Sequence, residues 1–437
     1  MNQLFKSGAS VRGSTSGSNY AVKDFIGGGG QGEVYGVNAS SGDFALKWYH
    51  PETSTSEQAE KIDTLSRMAP PSTRFLWPLE RATSPDSAGF GYVMDLRPRE
   101  YKGLTDLLNG RMDPTFYALC TACIGLADSM HLLHSKGLCY QDINWGNVFF
   151  HPGTGNILIC DNDNVCVNGS TATVLGTPRF MAPEIVRGEA QPSTDTDRFS
   201  LAVLLFMMLF RSHPLDGKKE SLIHCLDQQA MKKLYGSDAL FIFHPTDSSN
   251  APVAGIHDNA IAYWPIYPAA VKKLFEKTFT DGIRDPKNGR VLESQWRQAL
   301  SHMRDSVFRC STCKRENFYD PATPGAVCWH CRKVLSPPLR IDINGLCQVA
   351  INYDTKLYPH HLSGLRSRYD FTVPLAEISQ HPQNPSIWGL KNLSQAAWIS
   401  RTTEGAENQV PPGRSAILKN GLKIVFGGGT NGVIIWE

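Results

Sequence analysis

The sequence predicts an α+β fold laid out in consecutive blocks: strand-rich, helical, a compact cysteine knuckle, then strand-rich again. Three observations predict it. Residues 20–26 and 44–49 have strand-like periodicity and apolar content. Residues 116–135 form a long amphipathic run and 199–210 a nearly continuous apolar one, both of helical length. Short β-rich stretches separated by Gly, Pro and Asn turns then fill residues 336–437.

Length and charge narrow the function classes. A chain of 437 residues has room for about three domains. With 43 basic and 41 acidic residues the net charge is +2, which argues against nucleic acid or a membrane surface as the main partner. Residues 1–8 carry no apolar signal segment. The run 199–210 is too short for a bilayer and is expected as a core helix. Eleven cysteines are scattered and four have metal spacing, so a reducing, cytoplasmic setting is expected rather than disulfides.

The elements follow in order. Residues 1–19 are expected to be a flexible arm, because 7–19 are rich in Ser and Gly. Strand 20–26 runs into Gly27, Gly28, Gly29, Gly30, Gln31, Gly32, Glu33 and Val34. Glycines 27, 29 and 32 with Val34 fit G-x-G-x-x-G-x-V, whose bare backbone can approach phosphate oxygens; a plain hairpin turn is the alternative. No G-x-x-x-x-G-K-[ST] is present and the next segment reads as strand, which excludes a Walker loop and disfavours a dinucleotide fold. Strand 44–49 carries Ala45 and an inward-capable Lys47; a snorkelling surface Lys is the bland alternative. A Ser/Thr run at 53–56 caps a helix over 57–68 that holds Glu57 and Glu60. Strand 91–96, with Met94 and Asp95, leads through Arg97 to the helical block. In helix 116–135, Cys120 and Cys123 are expected in the core, and His131 and His134 as solvated or capping residues.

The most informative stretch is 140–147. Asp142 stands five residues before Asn147, and apolar strands 148–150 and 157–160 then deliver Asp161. Two carboxylates and an amide oxygen are what phosphoryl transfer requires: a base orients the hydroxyl while Mg²⁺ neutralises the phosphates. A turn rich in Asp and Asn is the alternative. These residues resemble the H-R-D-x-x-x-x-N and D-F-G motifs of eukaryotic-type protein kinases, with Tyr140 and Gln141 for His and Arg, and Asp161-Asn162-Asp163 for the second motif. Gly176 to Glu184 (GTPRFMAPE) resembles the end of a serine/threonine kinase activation segment.

The resemblance covers residues 20–305. It implies a bilobal protein-kinase-like fold with a β-rich N-lobe at 20–95 and a helical C-lobe at 96–305. It also implies roles. Gly27, Gly28, Gly29, Gly30, Gly32, Val34 and Ala45 would enclose ATP, and Met94 with the backbone of Asp95 and Arg97 would hold the adenine. Lys47 would bind the phosphates, paired with Glu60 or, as second candidate, Glu57. Asp142 would be the base, and Asn147 and Asp161 would ligate Mg²⁺ or Mn²⁺. Thr177 would sit beside Asp142, Glu184 would pair with Arg290, and Asp197 would anchor the loop. Gln141 removes the cation that a phosphorylated loop engages, so phosphorylation at Ser170, Thr171 and Thr173 is not expected to be the main switch. The implied activity is ATP- and Mg²⁺-dependent transfer to Ser/Thr of a protein substrate. Gln141, Asn144 and Asn162 favour the alternative, a nucleotide-binding pseudokinase that acts as scaffold or sensor.

Residues 306–335 contain Cys310, Cys313, Cys328 and Cys331 in C-x₂-C-x₁₄-C-x₂-C spacing, which predicts a closed structural Zn²⁺ site, with His330 as an alternative ligand. This segment resembles the zinc ribbons of some bacterial kinases. Residues 336–437 read as a small β-sandwich. Segments 388–394, 411–415 and 424–427 resemble the second half of forkhead-associated domains, in a degenerate version with Arg414 at the surface. The overall plan resembles kinases of bacterial tellurite-resistance-type modules. That likeness implies a cognate phosphatase and a von Willebrand A-type protein as partners; from the charge balance, no nucleic acid or membrane partner is expected.

Overall fold

A computed structural model describes residues 3–170, 174–362, 369–381 and 383–436. The chain divides into two compact units. Unit 1 is Met1–Asp113, Gly125–Ile256 and Lys277–Glu293; unit 2 is Pro114–Ile124, His257–Glu276 and Ser294–Glu437.

Unit 1 opens with β1 (Ser10–Gly13), β2 (Asn19–Gly28), β3 (Gly32–Ala39), β4 (Gly42–Tyr49), helix α1 (Ser56–Arg67), β5 (Glu80–Thr83) and β6 (Gly91–Asp95). The strands close into a barrel in the order β1-β2-β3-β4-β6-β5. Val11, Val22, Val37, Leu46, Trp48 and Val93 form its core. Closure depends on β1, which bridges β2 and β5. The flexible arm expected over 1–19 is therefore corrected: most of it belongs to the barrel. Phe5 is buried edge-on against Tyr35 and Trp48, at centroid distances of 5.6 and 4.8 Å. Glu80 accepts from the backbone N–H groups of Thr15 and Ser16, both at 2.9 Å. Composition misses this because two apolar anchors and one distant carboxylate outweigh many Ser and Gly residues. Helix α1 is capped by Thr55, whose Oγ1 accepts from Gln58 N at 3.2 Å, and it buries Ile62 and Leu65.

The helical part follows: β7 (Lys102–Gly103), α2 (Leu104–Leu108), α3 (Phe116–Ser135), β8 (Leu138–Cys139), β9 (Val148–Phe150), β10 (Ile157–Ile159), β11 (Cys166–Val167), α4 (Pro183–Arg187) and α5 (Thr194–Phe210), with residues 116–124 of α3 counted in unit 2. Helix α3 has the length and apolarity to cross a membrane, but most of it is buried as a core helix. Cys120 and Cys123 lie in that core, where burial pushes both thiols up. Helix α5 starts in a capping box formed by Ser193 and Thr196 and is buried on nearly every face. Strands β9 and β10 pair antiparallel, as do β8 and β11. These short ladders fix the loops that carry Asp142, Asn147 and Asp161.

Unit 2 contains a hairpin of β12 (Val307–Arg309) and β13 (Glu316–Phe318). Ten further strands follow: β14 (Arg340–Ile343), β15 (Cys347–Ala350), β16 (Lys356–Leu357), β17 (Ala376–His381), β18 (Asn384–Asn392), β19 (Trp398–Arg401), β20 (Glu407–Val410), β21 (Ser415–Ile417), β22 (Lys423–Gly427) and β23 (Thr430–Ile435). They form a six-stranded sheet, β15-β14-β23-β22-β19-β20, and a four-stranded sheet, β16-β17-β18-β21. The two sheets share one core that includes Ile341, Leu357, Leu390, Trp398 and Ile424. Arg414 is exposed.

Candidate functional site

Unit 1 holds a cavity of about 570 Å³. Its roof is Gly27, Gly28, Gly29, Gly30, Gln31, Gly32 and Val34; its wall includes Ala45 and Lys47. Met94, Asp95 and Arg97 edge it where β6 ends, and Asp142, Asn147 and Asp161 lie on its floor. Every expected nucleotide-contacting residue is thus brought to one cavity. The glycines serve two purposes. A Cβ on Gly27, Gly29 or Gly30 would meet nothing within 4 Å, so these keep the flap bare; a Cβ on Gly32 would lie 2.1 Å from the Trp48 carbonyl oxygen. Gly32 is therefore required by the close β3–β4 pairing.

The expected partners of Lys47 are corrected. Glu60 and Glu57 are both exposed on α1. Lys47 Nζ instead donates to Asp163 Oδ2 at 2.9 Å, to Asp161 Oδ1 at 3.1 Å and to Gln31 Oε1 at 3.0 Å. Helical geometry explains it. The inward face of α1 carries Gln58, Ile62 and Leu65 at i, i+4 and i+7, and Glu60 falls on the other side. Gln58 Nε2 donates to Tyr49 Oη at 2.9 Å, and Tyr49 donates to Asp163 Oδ2 at 2.5 Å. Tyr92 donates to Asp163 Oδ1 at 3.3 Å. Asp163, Tyr49, Tyr92 and Gln31 were not singled out from sequence as site residues. The available signal was a second acid two positions after Asp161.

Electrostatics follow from this crowding. Burial works against the charge on Lys47, but Asp163 and Asp161 outweigh it and raise its pKa. Burial likewise opposes ionisation of Asp163, yet Lys47, the Tyr49 hydroxyl and the Lys61 charge hold it below the usual carboxylate range. Burial pushes Asp161 up, and Asp163 and Asp142 add to that against the pull of Lys47. Three carboxylates thus face one directly bonded ammonium. Asn147 Nδ2 donates to the Asp142 carbonyl at 2.9 Å, which commits the amide nitrogen and leaves the amide oxygen to ligate. With Asp161 it offers the hard oxygen donors that Mg²⁺ takes, in a site with surplus negative charge.

The floor is held rigidly. Asp142 Oδ1 accepts from Thr177 Oγ1 at 2.8 Å. Asn144 donates to the Asp142 carbonyl at 3.1 Å and accepts from Gly146 N at 2.7 Å, so it shapes the loop. Asp197 accepts from Tyr140 N at 2.6 Å and Gln141 N at 3.0 Å, the anchoring expected of it. Asp161 sits at φ 53° and Gln141 at φ 72°, both left-handed. Asn162 is buried, and its amide donates to the carbonyls of Leu76 at 2.8 Å and Ile159 at 2.9 Å. Those bonds pin the turn that carries Asp163. Glu184 and Arg290 pair at 2.8 Å in a buried setting. His134, expected to be solvated or capping, is buried between Glu293 at 2.6 Å and Asp197 at 3.1 Å. Burial disfavours its charge, but the two carboxylates prevail and raise it to about 9. Of the loop hydroxyls, Ser170 is exposed and donates to Val167 O at 2.7 Å; Thr171 and Thr173 lie outside the described residues.

Unit 2 carries the cysteine cluster. The Sγ atoms of Cys310, Cys313, Cys328 and Cys331 all lie within 4.8 Å of one another. Cys310–Cys331 is 3.7 Å and Cys313–Cys328 is 3.6 Å. A tetrahedron with Zn–S bonds of about 2.3 Å has edges of about 3.8 Å, so the four sulfurs fit that ion. Each pair is a knuckle turned by a left-handed residue, Lys314 at φ 63° and Arg332 at φ 61°. His330 is not part of the cluster.

A family profile described as "Protein kinase domain" matches residues 20–279. The chain is 36% identical over 110 residues to "Protein kinase C delta type" of Mus musculus, covering 24% of this chain and 15% of that protein. It is 36% identical over 109 residues to "Protein kinase C-like 1" of Candida albicans, covering 24% and 9%. It is 36% identical over 106 residues to "Protein kinase C zeta type" of Oryctolagus cuniculus, covering 23% and 17%. In each case the match spans less than a fifth of the relative's length.

Proposed function

The chain belongs to the protein kinase domain family, and from that premise we propose that it is an ATP- and Mg²⁺-dependent protein serine/threonine kinase. One observation carries the proposal: Lys47, Asp142, Asn147 and Asp161 converge on one cavity beneath a bare glycine flap. Asp142 orients the substrate hydroxyl and accepts its proton, held in place by Thr177. Lys47 supplies positive charge to the phosphates, positioned by Asp163 from a turn that Asn162 fixes. Mg²⁺, held by Asn147 and Asp161, would neutralise phosphate charge. Met94, Asp95 and Arg97 border the place of the adenine. The four cysteines of unit 2 hold structural Zn²⁺, and the zinc ribbon and forkhead-associated-like module regulate the kinase or recruit its target. A phosphatase and a von Willebrand A-type protein are the proposed partners, in a bacterial cytoplasm.

The test is labelling with γ-labelled ATP and Mg²⁺. The wild type labels itself or a generic protein, and Asp142→Asn lowers the rate by about 10²-fold or more while nucleotide-induced thermal stabilisation persists. One observation favours a second reading, a nucleotide-binding pseudokinase scaffold: Lys47 is already bonded to Gln31, Asp161 and Asp163. Nucleotide-induced stabilisation without labelling in either protein would select the scaffold.

A further inference from the structure

We propose that Cys139 and Cys166 form a peroxide-oxidisable thiol pair, and that closing their disulfide slows the enzyme by disturbing the catalytic loop. The second half rests on the kinase reading above. The two residues are direct partners across the antiparallel β8–β11 ladder, with their sulfurs 3.4 Å apart. Direct antiparallel partners have Cα atoms about 4.5–5.5 Å apart, inside the range of about 4.4–6.8 Å that a disulfide spans. The bond thus needs only a short approach of the sulfurs, without a change of strand register. Cys139 is buried and Cys166 is partly exposed, so Cys166 is the sulfur that a small oxidant reaches.

The surroundings favour attack by Cys166. The hydrogen bond between the two sulfurs holds the Cys166 pKa down to about 6 against the effect of burial, with Ser170 and the Lys61 charge assisting. Gln141 Nε2 also donates to Cys166 Sγ, at 2.7 Å. Cys120, Cys123, Cys160 and Cys225 differ. Cys120 and Cys123 are fully buried and their thiols are pushed up. Burial raises Cys160 to about 12. Cys225 is exposed and serves as a reporter of general oxidation.

The chemistry balances with a hydroperoxide as oxidant. The Cys166 thiolate attacks one peroxide oxygen and the O–O bond breaks; the departing hydroxide takes a proton and leaves as water. The Cys139 sulfur then attacks the sulfenic sulfur, and the second hydroxide leaves with the Cys139 proton as water. Two thiols and one hydrogen peroxide become one disulfide and two waters, and a dithiol reverses it.

The consequence passes through Gln141, a positioning residue next to Asp142. Gln141 is buried in a left-handed conformation, and its Oε1 has no hydrogen-bond partner among the described residues. The Cys166 sulfur is the acceptor for its side-chain nitrogen. A disulfide sulfur is neutral and a poor acceptor, so oxidation releases the side chain that precedes Asp142. Ser170 and residues 174–177 lie downstream on the same segment, so the pair joins the catalytic loop to the activation segment without a phosphate.

The experiment treats the purified full chain with graded hydrogen peroxide and maps disulfides by non-reducing digestion and mass spectrometry. A Cys139–Cys166 linkage should form before Cys225 is oxidised and vanish with dithiothreitol. Cys139→Ser, Cys139→Ala and Cys166→Ser should each abolish it, so one misfolded variant does not decide the result. Labelling by the oxidised wild type, relative to its own reduced state, should fall about tenfold or more, as expected for a loosened catalytic group. Each variant should retain its own reduced rate within about twofold under the same dose, the range expected where no reacting group moves. Absence of the linkage at doses that oxidise Cys225 overturns the proposal. Linkage with an unchanged rate overturns the regulatory half. Absence of labelling by reduced wild type would instead count against the kinase reading, and the mapped linkage would still decide the thiol pair.

Discussion

Two buried charge networks in unit 1 differ in their balance. In the cleft, Lys47 faces Asp161 and Asp163, with Asp142 close enough to raise Asp161 further. Behind the catalytic loop, Asp197 and Glu293 are met by His134 and Arg198. In the second set every carboxylate meets a protein cation: His134 bridges Asp197 and Glu293, and Arg198 bridges Glu293 and Asp195, a closed arrangement that holds the loop backbone. In the first, Lys47 alone bonds Asp161 and Asp163, and no ion pair is formed by Asp142 among the described residues, beside an open cavity. A surplus of negative charge in a partly dry site is costly unless a cation completes it. The structural network has a protein cation on every carboxylate; the functional one leaves room for a metal ion.

Charge changes within the cleft should have the largest effects. Asp163→Asn removes the buried partner of Lys47, Tyr49 and Tyr92, and should destabilise unit 1 by about 3–5 kcal/mol. Asp161→Asn removes surplus charge instead. It should hold or raise the melting temperature while lowering phosphoryl transfer by about 10²–10³-fold. Paired thermal melts and labelling assays distinguish them. Equal loss of stability in both variants would contradict the division between a structural and a metal-binding carboxylate.

The closed network should reveal itself through pH. His134 is raised from 6.5 to about 9 in the folded protein, so its contribution is fully present below pH 6.5 and is lost as pH rises through 9. Its partner Glu293 is lowered to about 2: burial opposes its charge, but His134 and Arg198 prevail. That contribution is present above pH 4.5 and lost as pH falls toward 2. Melting curves of wild type and His134→Ala should differ by a few kcal/mol at pH 6 and converge above pH 9. A gap that is constant across that range would assign His134 a packing role alone.

The smallest effect belongs to α1. Glu60→Gln should leave labelling within about twofold and stability within about 0.5 kcal/mol, the range of an exposed substitution. A loss as large as that of Lys47→Met would show that α1 moves inward during turnover and that Glu60 takes over the lysine.

Much of the cleft was legible in the sequence because its parts are local. The glycine flap, the Asp142–Asn147 spacing and the strand delivering Asp161 each sit in a few consecutive residues, and each lines the cavity. Thr177 and Asp197 were also legible, since their motifs stand at fixed places along the chain. The partner of Lys47 was not. Choosing Glu60 required knowing which face of α1 turns inward, and that depends on where Ile62 and Leu65 pack. The ordered amino-terminal strand was hidden by its Ser and Gly content. His134 was misjudged because its two carboxylates, Asp197 and Glu293, lie 63 and 159 residues away.

The sequence by itself determined which chemical groups are available: the order of the motifs, the carboxylate and amide oxygens and the four cysteines with knuckle spacing. The tertiary structure alone decided how charges pair, placing Asp163 on a lysine 116 residues away and Cys139 against Cys166. The physical reason is range. Backbone propensity and local spacing act over a few residues, whereas buried electrostatics depend on which distant groups the packed core leaves in contact.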